Sequence, residues 1–561
     1  MSLYQLNMAA ADSRELLFLP LGGAGEIGMN LNLFGYGGRW LMVDLGVTFG
    51  DDSTPVDVIM PDPSFIVERK SELVGIVLTH AHEDHIGAVA HLWPRLRCPI
   101  YCTPFTASVL RRKLAEAGLA REVPLHEIPL GGTVDLDPFQ VEFITMTHSI
   151  LEPSALAIRT PVGTVLHTGD WKFDPEPLLG EAVDFDVLRR IGDEGVLALI
   201  GDSTNVFRDG EAGSEATVRD ALTELIGESE NRVAVACFAS NVARLTSVYH
   251  AAAAHGRKVA LVGRSLRKMD ESARENGYMA GIPRFLTEEE GARAEPSEIV
   301  LLCTGSQGEP RAALARIANG DHPHIALEEG DTVIFSSRVI PGNEKSIGKL
   351  QDKLVRAGVE LITEDDHDIH VSGHPARDEL SRMYSLIRPK IAVPVHGELR
   401  HLHEHAFLAE ECQVPNTVVA ENGEVVKLGP GLPSIIDKVN VGRLALDGNR
   451  LVPLGGASIR QRQRLVQNGI AVITLVLDKA GDLMADPVLA LHGLLDIELD
   501  EDQKLVEKAR SAVRFAIESL DAPSRKSDDT LLKDTARIAV RRSLHSTLGL
   551  KPMTDVQIVR V

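Results

Sequence analysis

The chain has 561 residues, carries a net charge of −22, and is 44% hydrophobic and 25% charged. One hydrophobic core stops growing near about 250–300 residues, so this length predicts more than one domain. The composition is that of a globular protein, no apolar run reaches the length of a membrane span, and the acidity argues against nonspecific coating of nucleic acid. That acidity still permits a strand threaded into a cleft where divalent cations dominate the local field. Residues 1–7 lack the basic start and apolar core of a secretory signal. The cysteines Cys98, Cys102, Cys237, Cys303 and Cys412 show no C-x-x-C spacing, which predicts reduced thiols and a cytoplasmic location.

The first segment reads as strands at 17–21, 30–34 and 39–44, with the run Gly22-Gly23-Ala24-Gly25-Glu26-Ile27-Gly28 as a tight turn between two of them. That run lacks the Lys-Ser/Thr of a phosphate-cradling loop. Asp51 and Asp52 could attract a hard cation such as a structural calcium ion. The apolar run Val74-Gly75-Ile76-Val77-Leu78 is followed at once by Thr79-His80-Ala81-His82-Glu83-Asp84-His85. A buried strand ending in H-x-H-x-D-H is suited to holding metal, because neutral imidazole nitrogen and carboxylate oxygen fit zinc or another borderline divalent ion. In an extended segment His80 and His82 lie on one side, and Asp84 and His85 can face a second ion.

Helices are predicted at 85–93 and 107–117, and strands alternate with helices to about residue 205. Three further apolar strands end in His148, Asp170 and Asp202. From about 214 to 362 strands at 233–237, 259–262, 299–302 and 332–335 alternate with helical patterns, which predicts a second α/β unit with a parallel sheet. Metal-type residues return after it, at His370, His374 and His396, as they would if that unit were inserted into the first. His401, His403 and His405 read as a polar surface of a helix on which only His401 and His405 share a face. Residues 436–463 suit a connector. A third unit follows, with a strand at 470–477 and helices at 501–520 and 531–548. Lys533, Arg537 and Arg541 form a basic stripe on the last helix, which could contact RNA or a subunit or simply be solvated.

H-x-H-x-D-H followed by a strand-end His, a strand-end Asp and a later His resembles the metallo-β-lactamase superfamily. The inserted block with Asp202, His374 and His396 narrows the resemblance to the β-CASP branch, whose members cut nucleic acids. Gly22-Gly23-Ala24-Gly25-Glu26-Ile27-Gly28, Gly201-Asp202-Ser203-Thr204-Asn205, Phe238-Ala239-Ser240-Asn241, Thr304-Gly305-Ser306-Gln307-Gly308-Glu309-Pro310, Pro341-Gly342-Asn343-Glu344 and His370-Val371-Ser372-Gly373-His374 resemble bacterial ribonuclease J. The implied fold is α/β: a metallo-β-lactamase αββα sandwich (1–213 and 363–435), an inserted α/β β-CASP domain (214–362), a linker (436–463) and a small C-terminal α+β domain (464–561).

By that resemblance His80, His82 and His148 would hold one divalent ion, Asp84, His85 and His396 another, with Asp170 bridging and Asp44 orienting the site from behind. Zinc is the expected metal and manganese the alternative, since His/Asp sites accept both. The two ions would supply hydroxide to a phosphodiester, while His374, its ring held by Asp202, protonates the leaving oxygen. Ser240, Asn241, Val242 and the run His370, Val371, Ser372, Gly373 and His374 would hold RNA phosphates; Ser240 and Asn241 could instead cap a helix beginning near Val242. The family implies 5′-to-3′ exonuclease action on single-stranded RNA with a 5′-monophosphate, endonuclease action, and a homodimer or higher homo-oligomer without a membrane partner. The rivals are a DNA nuclease of the same branch, a small-ester or thioester hydrolase on the same core, and an RNA-binding scaffold with a dead site. His396 speaks against the first, the inserted block against the second, and the full ligand set against the third.

Overall fold

The structure is a computed structural model that describes residues 14–50, 54–496 and 498–561. The described residues form two compact units, a larger one of residues 14–49 and 58–443 and a smaller one that joins residues 50 and 54–57 to the segment after Arg443. Asp51 and Asp52, the candidate calcium ligands, lie outside the described residues.

The larger unit is built on two facing sheets. One runs Ser434–Lys438, Glu424–Gly429, Leu16–Gly22, Leu31–Tyr36, Arg39–Val43, Leu73–Val77, Ile100–Cys102, Leu125–Glu127. The other runs Thr133–Leu136, Phe139–Thr145, Ser154–Thr160, Gly163–His167, Val196–Asp202, Ile391–Val395, Asn416–Thr417. Phe18, Phe34, Leu41, Val43 and Val77 from the first sheet pack on Val141, Phe143, Ile158, Val165, Ile200 and Val393 from the second. Side chains alternate across a strand, so the residues between these point to the outer faces. On the outer face of the second sheet, Ile144, Leu166 and Leu199 meet Leu188 and Ile191 of helix Phe185–Glu194 and Leu380, Met383 and Ile387 of helix Arg377–Ile387. The result is the expected αββα sandwich.

The inserted block carries its own parallel sheet, in the order Lys258–Val262, Ile299–Cys303, Val233–Ala236, Thr332–Phe335, Glu360–Ile362. Each of the predicted strands there is present, shifted by at most one residue at either end. The chain then returns to the second sandwich sheet, where Ile391–Val395 pairs with Val196–Asp202.

Two helices differ from expectation for identifiable reasons. The helix expected at 85–93 is broken into Glu83–Ile86 and Val89–Leu96. The Asp84 carbonyl accepts the Asn30 backbone N–H at 2.9 Å and the His85 carbonyl that of Leu45 at 2.7 Å, so neither continues the helix. The helix expected from 107 begins at Pro104, whose missing N–H costs nothing in a first turn.

The second unit centres on strand Ile470–Leu477, which lies between Val488–His492 and Met553–Arg560. Its alternate residues Ala471, Ile473, Leu475 and Leu477 are buried against Ala509, Val513 and Ile517 of helix Asp500–Glu518 and Leu532, Ala536 and Val540 of helix Asp529–Leu548. The stretch read as a connector is not unstructured: it carries the hairpin Arg443–Asp447 with Arg450–Pro453 and most of a helix, Ala457–Asn468. Among the described residues no helix is long and apolar enough to cross a membrane.

Candidate metal centre

The sandwich brings the ends of four segments to one rim. Strand Leu73–Val77 delivers the histidine cluster, Phe139–Thr145 leads to His148, Gly163–His167 to Asp170, and Ile391–Val395 to His396. Three groups of converging donors result: His80, His82 and His148; Asp84, His85, Asp170 and His396; and Asp170, Asp202, His374 and His396. Every residue expected to ligate metal from the sequence is in the first two.

In the first group, Nε2 of His80 and Nε2 of His148 each stand 3.0 Å from Nδ1 of His82. Two imidazoles on one tetrahedral zinc ion stand about 3.3 Å apart, given Zn–N bonds of about 2.0–2.1 Å. Burial, reinforced by the neighbouring imidazoles, holds His80 and His148 far below the ordinary histidine range, and burial takes His82 to about 4. All three therefore present neutral rings with free lone pairs, which is the form that binds a divalent ion.

In the second group, Oδ2 of Asp170 lies 3.1 Å from Nε2 of His85 and 3.7 Å from Nε2 of His396. The same oxygen lies 3.9 Å from Nε2 of both His80 and His148, so one carboxylate faces both groups. Asp84 Oδ2 stands 3.1 Å from Nε2 of His396. Burial works against charge on His85 and His396, but Asp170 with its neighbouring carboxylates outweighs it and raises both. Asp44 and His396 adopt φ of 62° and 52°, left-handed conformations that non-glycine residues rarely hold outside constrained sites.

The test of fit to metal is what the opposite ring nitrogens do. His85 Nδ1 is 2.7 Å from Asp44 Oδ2, His396 Nδ1 is 2.7 Å from Thr204 Oγ1, and His80 Nδ1 is 3.0 Å from Thr79 Oγ1. His148 Nδ1 donates to the Gly373 carbonyl, and His82 Nε2 is 3.1 Å from Ser240 Oγ. Each imidazole is thus oriented from behind with one nitrogen left for the centre, the arrangement metal-binding histidines require. The donor set fits divalent metal.

Of these outer partners only Asp44 is expected from the sequence to orient the site; Ser240 and Gly373 are expected at RNA phosphate instead. Thr79 and Thr204 sit inside the quoted motifs but carry no spacing signal, and a backbone carbonyl such as that of Gly373 carries none at all. Asp202 and His374 meet as expected: His374 Nδ1 is 2.8 Å from Asp202 Oδ2. Burial opposes protonation of His374, and Asp202 outweighs it, raising the ring above its ordinary value.

The candidate phosphate-holding residues divide. Ser240 reaches the rim beside His82. Asn241 does not offer its side chain: Oδ1 caps helix Val242–Ala254 through the Arg244 N–H at 2.9 Å, and Nδ2 donates to Glu215 at 2.9 Å. The backbone N–H groups of Asn241 and Val242 are also satisfied, by the Phe238 and Ser240 carbonyls. The capping alternative therefore describes Asn241. His370 is half-buried, and burial lowers it to about 3 with help from Arg244. The run from Val371 to His374 lines the same rim, with Ser372 Oγ accepting from Asn205 Nδ2 at 2.6 Å. The 401/403/405 set departs from expectation. His401 and His405 do share a face, but it is buried, and His405 bridges Ser203 and Tyr384 at 2.9 Å each.

Comparison with known proteins agrees with this architecture. Residues 39–189 match the β-lactamase superfamily domain, 230–354 the ribonuclease J β-CASP domain, 364–419 the Zn-dependent metallo-hydrolase RNA specificity domain, and 457–561 the ribonuclease J C-terminal domain. A crystal structure of a protein of unknown function from Enterococcus faecalis shares the fold over 74% of this chain and all of its own, with a TM-score of 0.52 and 16% identity. Ribonuclease J2 of Bacillus subtilis is 35% identical over 99% of this chain and 100% of its own. Ribonuclease J of Sinorhizobium meliloti is 44% identical over 98% of each chain. With its sandwich, its inserted sheet and its C-terminal unit all matched, the chain belongs to the ribonuclease J family.

Proposed function

We propose that this protein is a two-metal ribonuclease that degrades single-stranded RNA from a 5′-monophosphate end in the 5′-to-3′ direction and also cuts internally. The observation that carries this reading is the convergence at Asp170 Oδ2 of both imidazole groups, with the His374–Asp202 pair beside them. His80, His82 and His148 with Asp170 form one ligand set, and Asp84, His85 and His396 with Asp170 the other. Divalent ions bound there acidify water and neutralise charge developing on a phosphodiester.

The chain's own residues supply the rest. His374 donates a proton from Nε2 to the leaving 3′-oxygen, and Asp202, which holds the ring through Nδ1, keeps it protonated as imidazolium until that transfer. Ser240, His370 and Ser372 hold RNA phosphates along the rim. Zinc is the favoured ion, with manganese suited to the same ligands. The proposed division is 1–213 with 363–435, 214–362, 436–463 and 464–561; the matches at 230–354 and 364–419 fall within 214–362 and 363–435, whereas the match at 457–561 reaches back into 436–463. A homo-oligomer is the proposed working form.

The test is digestion of one RNA carrying a 5′-monophosphate or a 5′-triphosphate beside the matching single-stranded DNA. Metal-dependent release of mononucleotides from the monophosphate RNA, lost on chelation and in His82→Ala, is expected. No RNA cleavage across several metals would overturn the reading.

A further inference from the structure

Outside the metal centre the largest buried charged group is Arg244, and it faces a buried carboxylate, Glu215. Its Nη2 donates to Glu215 Oε1 at 3.0 Å and its Nε to Oε2 at 3.1 Å. Burial works against ionisation of Glu215, and the guanidinium outweighs it, holding the carboxyl below its ordinary range. The third prong, Nη1, donates to the Ser336 carbonyl at 2.7 Å and to the Ile369 carbonyl at 3.1 Å. The Ser336 hydroxyl reaches the same Ile369 carbonyl at 2.8 Å. Ile369 directly precedes His370, where the proposed phosphate-holding run begins.

Glu215 extends the chain of contacts the other way. It accepts from Asn241 Nδ2 at 2.9 Å, next to Ser240. Its backbone N–H donates to Asp174 Oδ2 at 3.2 Å, and that carboxylate lies 3.2 Å from the buried Lys172 ammonium. Lys172 is two residues past Asp170. One ion pair thus ties together the segment that carries Asp170, the turn that carries Ser240, the end of strand Thr332–Phe335 in the inserted sheet, and the run that begins at His370.

A buried ion pair is weak grounds for stability by itself, because well-packed apolar residues of similar volume commonly serve a core as well or better. What a guanidinium adds is geometry: its planar fork holds several acceptors at set directions, which Lys cannot reproduce. We propose that Arg244, paired with Glu215, is a positioning residue that sets the separation between the phosphate-holding residues Ser240, His370 and Ser372 and the metal centre, and so determines the preference for a 5′-monophosphate end. The inference rests on the 5′-end reading above.

The test uses the full-length metal-loaded protein and one RNA sequence bearing either a 5′-monophosphate or a 5′-hydroxyl. The variants are Arg244→Met, Arg244→Lys, and the double variant Glu215→Gln/Arg244→Met, which leaves no unpaired buried charge if the single variant fails to fold. Expected is a rise in KM for the monophosphate RNA of about tenfold or more, with kcat held within about threefold and metal content unchanged, since small misplacements of positioning groups have large effects. Preference for monophosphate over hydroxyl collapses in parallel, and Arg244→Lys falls between the wild type and Arg244→Met. In Ser372→Ala the further effect of Arg244→Met shrinks, because both act on the same bound phosphate. Variants that lose thermal stability or kcat while keeping the wild-type preference overturn the positioning role and leave the 5′-end reading intact. A wild-type protein that cuts RNA without regard to its 5′ end overturns both.

Discussion

The Asp44 carboxylate lies 2.7 Å from Nδ1 of His85, and both side chains are sealed from solvent. The same carboxylate accepts the backbone N–H and the hydroxyl of Thr79 at 2.8 Å each, so it also anchors the first residue of the histidine cluster. Asp44→Asn tolerates the left-handed backbone but loses the charge and one acceptor. Metal affinity should fall roughly 10–100-fold, the usual effect of removing such a partner. Competition with a chelator of known affinity measures it; unchanged affinity would remove Asp44 from the site.

His374→Ala should lower kcat by about 10²–10⁴ while metal content stays at the wild-type level, because the ring's proposed task is proton transfer. Asp202→Asn leaves a ring without its charged partner and should reduce kcat in the same direction. Loss of bound metal in either variant would assign these residues to ligation instead.

Gly373 has no room for a side chain. A Cβ there would stand 2.6 Å from the His148 ring and 2.7 Å from Ser149 Oγ. Gly373→Ala must push His148 off its neighbours, with a strain of about 1–3 kcal/mol. Lower metal occupancy and a lower melting temperature of the metal-loaded form are expected, and calorimetry with and without chelator separates them.

His405 is buried and neutral, with burial lowering it to about 4. In the unfolded chain it takes up a proton near about 6.5, so between these values the unfolded state binds more protons. Stability is present above about pH 6.5 and is lost as pH falls toward 4. His405→Gln should remove up to about 1.4 kcal/mol per pH unit from the slope of unfolding free energy in that window. Urea denaturation at several pH values reads the slope directly.

Chelation should lower the melting temperature, since ions bind the folded site and not the unfolded chain. At a free metal concentration of about 100 times Kd the stabilisation is about 2.7 kcal/mol. A melting temperature indifferent to chelator and to added zinc or manganese would contradict the metal assignment.

The strands of the inserted sheet and the metal-type residues were legible along the chain, because both depend on local pattern. A strand needs only alternation or a short apolar run, and H-x-H-x-D-H concentrates its donors within six positions. Contacts between distant segments were not legible. The Asp84 carbonyl's bond to Asn30 breaks a helix that periodicity alone would continue, and the Asn241 side chain faces Glu215 instead of the rim. His401 and His405 read as surface because histidine is polar, yet they share a buried helix face with Leu402, Leu408 and Ala409, and the groups that hold His405, Ser203 and Tyr384, come from distant segments. The sequence by itself determined which residues could bind metal. Only the tertiary structure decided which nitrogen of each histidine is free to do so, because, apart from Thr79 beside His80, the groups that hold the other nitrogen, from Asp44 to the Gly373 carbonyl, come from remote parts of the chain.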